Sequence, residues 1–112
     1  MPYNAKNKEE VFRVDRFKVP EAARAEFTQR AHASHERLRM LPGLVEEHLL
    51  ESPGEDGTTN VVTIVVWKDA AAFDAAKAIM QQHYREIGYD PGAALDSLGI
   101  EAQMAAYTEL PA

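Results

Sequence analysis

The chain has 112 residues, no cysteine, and 12 basic against 18 acidic residues, a formal net charge of −6. This length suits one domain, and a chain without cysteine can form neither disulfides nor thiolate sites. Without a basic stripe among aromatic residues, nucleic acid is not an expected partner. Residues 1–10 lack an apolar signal core, and no segment has the ~20 apolar residues of a membrane span. We therefore expect a flexible leader over 1–10, one domain over 11–112, a cytoplasmic location and no contact with membranes.

The first half of the chain predicts a strand, a helix and a second strand. Residues 11–19 are rich in β-branched and aromatic side chains and stop at Pro20, which can open a helix. Over 21–41, apolar residues including Phe27 recur on one helical face. A Pro-Gly pair ends this helix, and residues 44–52 predict the second strand.

The second half predicts a hairpin followed by a helix, a short helix and a last strand. Turn-forming residues over 53–57 lead into a predicted third strand over 60–67, in which residues 61–67 form the chain's unbroken apolar run. A helix is predicted over 70–87, where apolar residues again share one face. Asp90 and the proline after it start a short helix, and residues 101–110 predict the fourth strand.

This order of elements, βαββαβ, is typical of the ferredoxin-like α+β fold. It predicts a four-stranded antiparallel sheet with two long helices on one face. Strict alternation then places Phe12, Val14, Val62, Ile64 and Val66 on the other face. Such an apolar face is too large for a stable monomer, so we expect a homodimer in which two sheets pack face to face.

Two short passages carry a resemblance to a known family. The junctions Leu41-Pro42-Gly43-Leu44 and Val65-Val66-Trp67-Lys68-Asp69 are similar to those of the antibiotic-biosynthesis monooxygenase family of dimeric α+β barrels, and the resemblance extends from about Val11 to Leu110. That family includes enzymes that oxidise quinols and anthrones with molecular oxygen without a cofactor, and it includes haem-degrading enzymes. Both use a pocket between the helices and the sheet. The resemblance therefore implies a dimeric barrel, no cofactor and a small aromatic ligand.

The resemblance also marks individual positions. Trp67 is similar in position to a pocket tryptophan of the haem-degrading branch, and Asp15 to an asparagine on its first strand. Ionised aspartate cannot donate the hydrogen bond that asparagine donates. The haem-ligating histidine of that branch would lie near Ala76 or Lys77, neither of which can replace it. Many other members have a glutamate where Val65 stands, so this pocket differs from both patterns.

Seven residues are candidates for the site. His83 is the candidate general base, because imidazole titrates near neutral pH. The predicted catalytic set is His83, Asp15 and Trp67. The predicted substrate-binding set is Arg13, Trp67, Tyr84, Phe27 and His35. Packing would explain the aromatic residues, an ion pair would explain Arg13 and Asp15, and His83 would then be a half-exposed helix-edge residue. No metal site is expected, because His32 and His35 face different directions and no third ligand accompanies them.

These observations leave two main hypotheses for function. One is a cofactor-independent monooxygenase acting on a small quinol-like or anthrone-like aromatic, whose ionised form can pass an electron to oxygen. The other is a non-catalytic dimeric barrel that binds a small ligand in the same pocket. A haem-binding or haem-degrading relative is a third, less favoured reading.

Overall fold

The computed structural model describes residues 9–111, so the predicted leader lies outside the described residues except for its last two positions. One antiparallel sheet has the order β2-β3-β1-β4, formed by β1 (Val11–Val19), β2 (Leu44–Pro53), β3 (Thr59–Trp67) and β4 (Glu101–Tyr107). The helices are α1 (Arg24–Leu38), preceded by a 3-10 turn over Glu21–Ala23, then α2 (Ala70–Ile87) and α3 (Pro91–Ser97). This is the ferredoxin-like α+β fold that the order of elements predicts.

Short-range signals account for the ends of α2 and α3. Asp69 accepts a hydrogen bond from the backbone N–H of Ala72 at 2.8 Å, which caps α2, and Asp90 caps α3 in the same way. Gly88 ends α2 with φ of 66°, a left-handed conformation that costs little without a Cβ. Since these caps depend on neighbours in the chain, the sequence predicts both helices well.

The two family-like junctions contact each other in the fold. The backbone N–H of Lys68 donates to the carbonyl of Gly43 at 2.9 Å. Gly43 has φ of 89°, and a Cβ added there would lie 2.5 Å from the Cβ of Ala72. Glycine is therefore required, both for the backbone conformation and for the close approach of the loop to α2. This contact ties the start of β2 to the end of β3.

Two predicted ends extend too far. Helix α1 stops at Leu38 rather than residue 41, because Met40 and Leu41 bond to carbonyls three residues back in a tightened final turn. Strand β4 stops at Tyr107 rather than residue 110. Tyr107 pairs with Phe12, close to the start of β1, so β1 leaves little backbone for a longer β4 to pair with.

The sheet register separates two apolar clusters on the helix-covered face. One cluster consists of Val11, Val65, Trp67 and Ala76, and the other of Val19, Ala23, Phe27 and Ile100. Their β1 members, Val11 and Val19, are the two ends of the strand. Between them the same face of β1 carries Arg13 and Asp15. The middle of the helix-covered face is therefore polar, and this is where a cavity opens.

The opposite face of the sheet carries the predicted apolar side chains, and none of the helices described within residues 9–111 covers it. Phe12 and Val14 lie opposite Val66 and Ile64, and all but Val66 are partly exposed. Val66 was predicted to be open on this face, but it is only 2% exposed within the single chain. Two more apolar side chains of this face, Leu50 and Tyr107, are about half exposed. Within residues 9–111, no helix is long and apolar enough to cross a membrane.

Candidate functional site

A cavity of about 360 Å³ lies between the sheet and helices α1 and α2. It brings together five of the seven residues predicted for the site. Those five are Arg13, Asp15, His35, Trp67 and Tyr84. Polar groups therefore enter an otherwise apolar space at a few places, which is the usual form of a small-molecule site.

A second, smaller cavity of about 150 Å³ adjoins the first. The two share four lining residues: His35, Thr63, Pro91 and Met104. Phe27, predicted to bind substrate, lines this second cavity and not the larger one, and its ring lies 4.9 Å from that of Phe17. The two cavities thus meet at His35, the smaller one apolar and aromatic and the larger one more polar.

The polar floor of the larger cavity is an ion pair on β1. Nε of Arg13 donates to Oδ1 of Asp15 at 2.6 Å. Burial raises the pKa of Asp15, and the hydrogen bond and charge of Arg13, with the charge of His35, offset part of that rise. The pair presents both a cation and a carboxylate to any molecule bound above it.

His35 enters the cavity from α1 and is paired with a carboxylate outside it. His35 is 5% exposed, and its Nδ1 lies 2.8 Å from Oε1 of Glu47 on β2. Arg39 also reaches that oxygen, at 3.4 Å. The hydrogen bond from His35 is the main reason that the pKa of Glu47 is lowered, with Arg39 adding to it against the effect of burial. His35 is therefore a buried side chain of the helix-covered face, paired with a carboxylate.

Aromatic side chains form the helix-side wall. The hydroxyl of Tyr84 lies 3.5 Å from that of Ser34, which links α2 to α1. The ring of Tyr84 is 5.5 Å from that of Tyr89, and the guanidinium of Arg30 lies 4.7 Å from the centre of the Tyr89 ring. Pro91, the first residue of α3, lines both cavities, so the start of α3 borders the space at this side.

His83, the predicted catalytic base, does not line either of these cavities. It is half-buried on α2, with its ring 5.8 Å from that of Tyr84. The catalytic role of His83 stays a prediction. Its ring contacts Tyr84, which lines the larger cavity, but His83 itself is not a lining residue.

Sequence analysis missed the contact between Glu47 and His35. Counting from the hairpin would have found it: Pro53 pairs with Thr59, and the same register puts Glu47 opposite Val65, on the helix-covered face. A register shift between Leu44 and Glu46 breaks the alternation of faces, so counting from the start of β2 assigns Glu47 to the wrong face. Thr63, 7% exposed and shared by both cavities, was also missed.

The residues present do not fit a family-type haem site. Ala76 is buried in the cluster with Trp67, and Lys77 is exposed, so neither supplies an imidazole where the haem-degrading branch has one. Among residues 9–111 there is also no group of three or more metal-ligating side chains.

Replacing Glu47 by glutamine should remove a contribution to the free energy of unfolding that exists only while the Glu47 carboxyl is ionised. Because folding lowers the pKa of Glu47, its stabilising contribution is present above the ordinary glutamate pKa of about 4.3 and is lost as pH falls through the lowered value. The difference in Tm between wild type and Glu47→Gln should therefore be constant near neutral pH and shrink in acid.

The matched control is Glu46→Gln, next to it in sequence, where the carboxylate pairs with exposed His48 at 3.0 Å. An exposed pair contributes little, so this variant should follow the wild type. Equal behaviour of the two variants across pH would contradict a special role for Glu47.

Comparison with known proteins gives a family and several similar folds. The family model described as antibiotic biosynthesis monooxygenase matches residues 11–85. A variant of SnoaB, a cofactor-independent oxygenase from Streptomyces nogalater, is 28% identical, with 93% of this chain and 96% of that chain covered and a TM-score of 0.65.

Two further structures share the fold at lower identity. A putative monooxygenase from Shewanella loihica is 20% identical, covering 92% of this chain and 96% of that chain with a TM-score of 0.66. The ActVA-Orf6 monooxygenase of Streptomyces coelicolor, in complex with nanaomycin D, is 20% identical, covering 96% and 93% with a TM-score of 0.61. Among curated proteins, none matches the sequence significantly.

Proposed function

Because this chain belongs to the antibiotic biosynthesis monooxygenase family, we propose that it is a monooxygenase that uses molecular oxygen on a small, electron-rich aromatic without a cofactor. The observation that carries this proposal is the cavity that gathers Trp67, Tyr84, His35 and the Arg13–Asp15 pair around one space. Similarity to SnoaB, a cofactor-independent oxygenase, supports the same reaction class.

The chemistry needs only an ionisable aromatic substrate and oxygen. The substrate loses a hydroxyl or enol proton, and the anion passes one electron to O2, giving a substrate radical and superoxide. These combine to form a carbon–oxygen bond, and the peroxide takes up a proton and loses water. A methylene thereby becomes a carbonyl: CH2 and O2 give C=O and H2O, and all four electrons come from the substrate carbon.

The cavity residues suit the binding part of this task. Trp67 and Tyr84 have flat, amphipathic side chains that can bind an aromatic ring. Arg13 and Asp15 can orient polar substituents of that ring from below. A bound aromatic would displace water from the cavity, which strengthens the polar contacts made inside. Holding the anion beside oxygen in this way raises the rate through positioning.

We further infer that the working form is a homodimer joined through the open face of the sheet. Phe12, Val14, Val62 and Ile64 are partly exposed there, and Tyr107 adds an aromatic side chain at the β4 edge. A second copy of this chain buries the same residues on both sides, as a two-fold interface requires. A cytoplasmic location stays a prediction from the sequence.

The proposal is tested by supplying the purified protein with anthrones and following dissolved oxygen. We expect oxygen uptake above the spontaneous rate, matched by formation of the corresponding quinone. A protein that binds these aromatics without accelerating their oxidation would instead be the non-catalytic ligand-binding barrel.

A further inference from the structure

One ring nitrogen of His35, in the larger cavity, can accept a proton from a bound molecule. Nδ1 of His35 is engaged by Glu47, while Nε2 has no hydrogen-bond partner among the described residues. Across residues 9–111, no fully buried side-chain nitrogen or oxygen lacks a partner. Since His35 lines both cavities, Nε2 is therefore accessible from the space under the helices.

The partner on the other side fixes which nitrogen carries the proton. The lowered pKa of Glu47 keeps its carboxyl ionised at neutral pH. An ionised carboxylate only accepts hydrogen bonds, so Nδ1 of His35 is the donor. In the neutral imidazole, Nε2 then has no proton and carries a free electron pair.

We propose that Nε2 of His35 is the base that removes the substrate proton, with Glu47 as its positioning residue. This assignment rests on the proposed function. The substrate is then an aromatic with an ionisable phenolic or enolic hydroxyl, bound at the junction of the two cavities. The O–H bond breaks, its electron pair stays on oxygen, and the proton forms an N–H bond at Nε2. The products of this step are the substrate anion and an imidazolium, which returns the proton when the peroxide forms.

Two carboxylates lie near the imidazolium that this step creates. Glu47 contacts the ring of His35 directly. Asp15 is close enough to His35 that the charge of His35 lowers the pKa of Asp15. Two cations act against these carboxylates: Arg13 is hydrogen-bonded to Asp15, and Arg39 is hydrogen-bonded to Glu47. The remaining titratable or charged side chains lining the two cavities are Arg30, Lys77, Tyr84 and Tyr89.

The other two candidate bases are placed less well for this step. The carboxylate of Asp15 is already engaged by Arg13 at 2.6 Å, and an ion pair would have to be broken before it could accept a substrate proton. His83 is outside the lining of both cavities. His35 alone of the three combines an accessible nitrogen with a carboxylate that orients it.

The experiment uses 2-hydroxyanthraquinone, a fused-ring phenol with no methylene to oxidise, whose ionisation changes its visible absorption. Binding is followed by quenching of Trp67, the only tryptophan. The pH at which the bound probe ionises is then measured for wild type, His35→Gln, Glu47→Gln and His83→Gln, with circular dichroism to confirm folding. Because Glu47→Gln retains His35, it serves even if His35→Gln fails to fold.

We expect the wild type to lower the pKa of the bound probe by about one unit or more, a tenfold change in its ionised fraction. His35→Gln should bind the probe but lose this shift, Glu47→Gln should lose part of it, and His83→Gln should behave as wild type. With an oxidisable anthrone, His35→Gln should lower kcat by about 10²-fold or more while KM changes little.

Other outcomes would overturn the proposal. If the probe binds and ionises alike in wild type, His35→Gln and Glu47→Gln, His35 is not the base, while the aromatic-binding cavity stands. A shift lost in His83→Gln would assign the base to that residue. If the probe fails to bind the wild type at all, the aromatic-binding site of the proposed function fails, and the base assignment with it.

Discussion

Replacing Ile64 by lysine should leave the protein aggregated or unfolded. Ile64 lies on the open face of β3, opposite Val14 on one side and His48 on the other. If two sheets pack through this face, the substitution puts a charge on each side of the two-fold interface, where neither charge has a partner. The cost of burying an unpaired charge is large compared with the stability of a small domain.

Size-exclusion chromatography with light scattering, together with circular dichroism, measures this outcome. The control is Met40→Lys, which adds the same charge at a residue that is 82% exposed in the loop after α1. That variant should remain a folded dimer. A folded, soluble Ile64→Lys monomer would contradict an obligate dimer through this face.

Replacing Trp67 by alanine should destabilise the fold by about 3–5 kcal/mol, the range for large aromatic truncations in a core. Trp67 is only 2% exposed and packs with Val11, Val65 and Ala76. A loss of this size should lower Tm by roughly 10 °C or more in thermal unfolding. The side chain therefore serves the core as well as the cavity.

Trp67→Phe separates these two roles. It keeps an aromatic ring in the cluster and removes the indole N–H, which has no hydrogen-bond partner among the described residues and is not fully buried. We expect most of the stability to return, with aromatic binding still weakened, as isothermal titration would show. Full binding by Trp67→Phe would mean that the indole group acts through packing alone.

The sequence predicts the fold well because the relevant signals are local. Alternation in β1 and β3 predicts which residues face the helices, and the cap at Asp69 and the glycine at Gly88 mark the limits of α2. Phase along α2 likewise predicts that Tyr84 points inward, and it lines the larger cavity. Four other predicted site residues line the same space for similar reasons.

What the sequence could not predict depends on contacts between distant elements. His35 and Glu47 are brought together by the packing of α1 on β2, and a register shift in β2 obscures the direction of the glutamate. When the contact with Glu47 is not known, nothing in the sequence favours His35 over His83 as the catalytic base. The separation of Phe27 into a second cavity follows in the same way from where α3 covers the sheet.

The central claim, that this protein inserts oxygen into an aromatic substrate, is tested most directly with isotopically labelled oxygen. The purified protein is supplied with anthrone under ¹⁸O₂, with heat-denatured protein as the measure of spontaneous oxidation. We expect accelerated formation of anthraquinone containing one ¹⁸O atom, one O2 consumed for each quinone, and the second ¹⁸O in water. A rate no faster than with denatured protein, despite quenching of Trp67 by the bound aromatic, would contradict the claim and identify a binding protein instead.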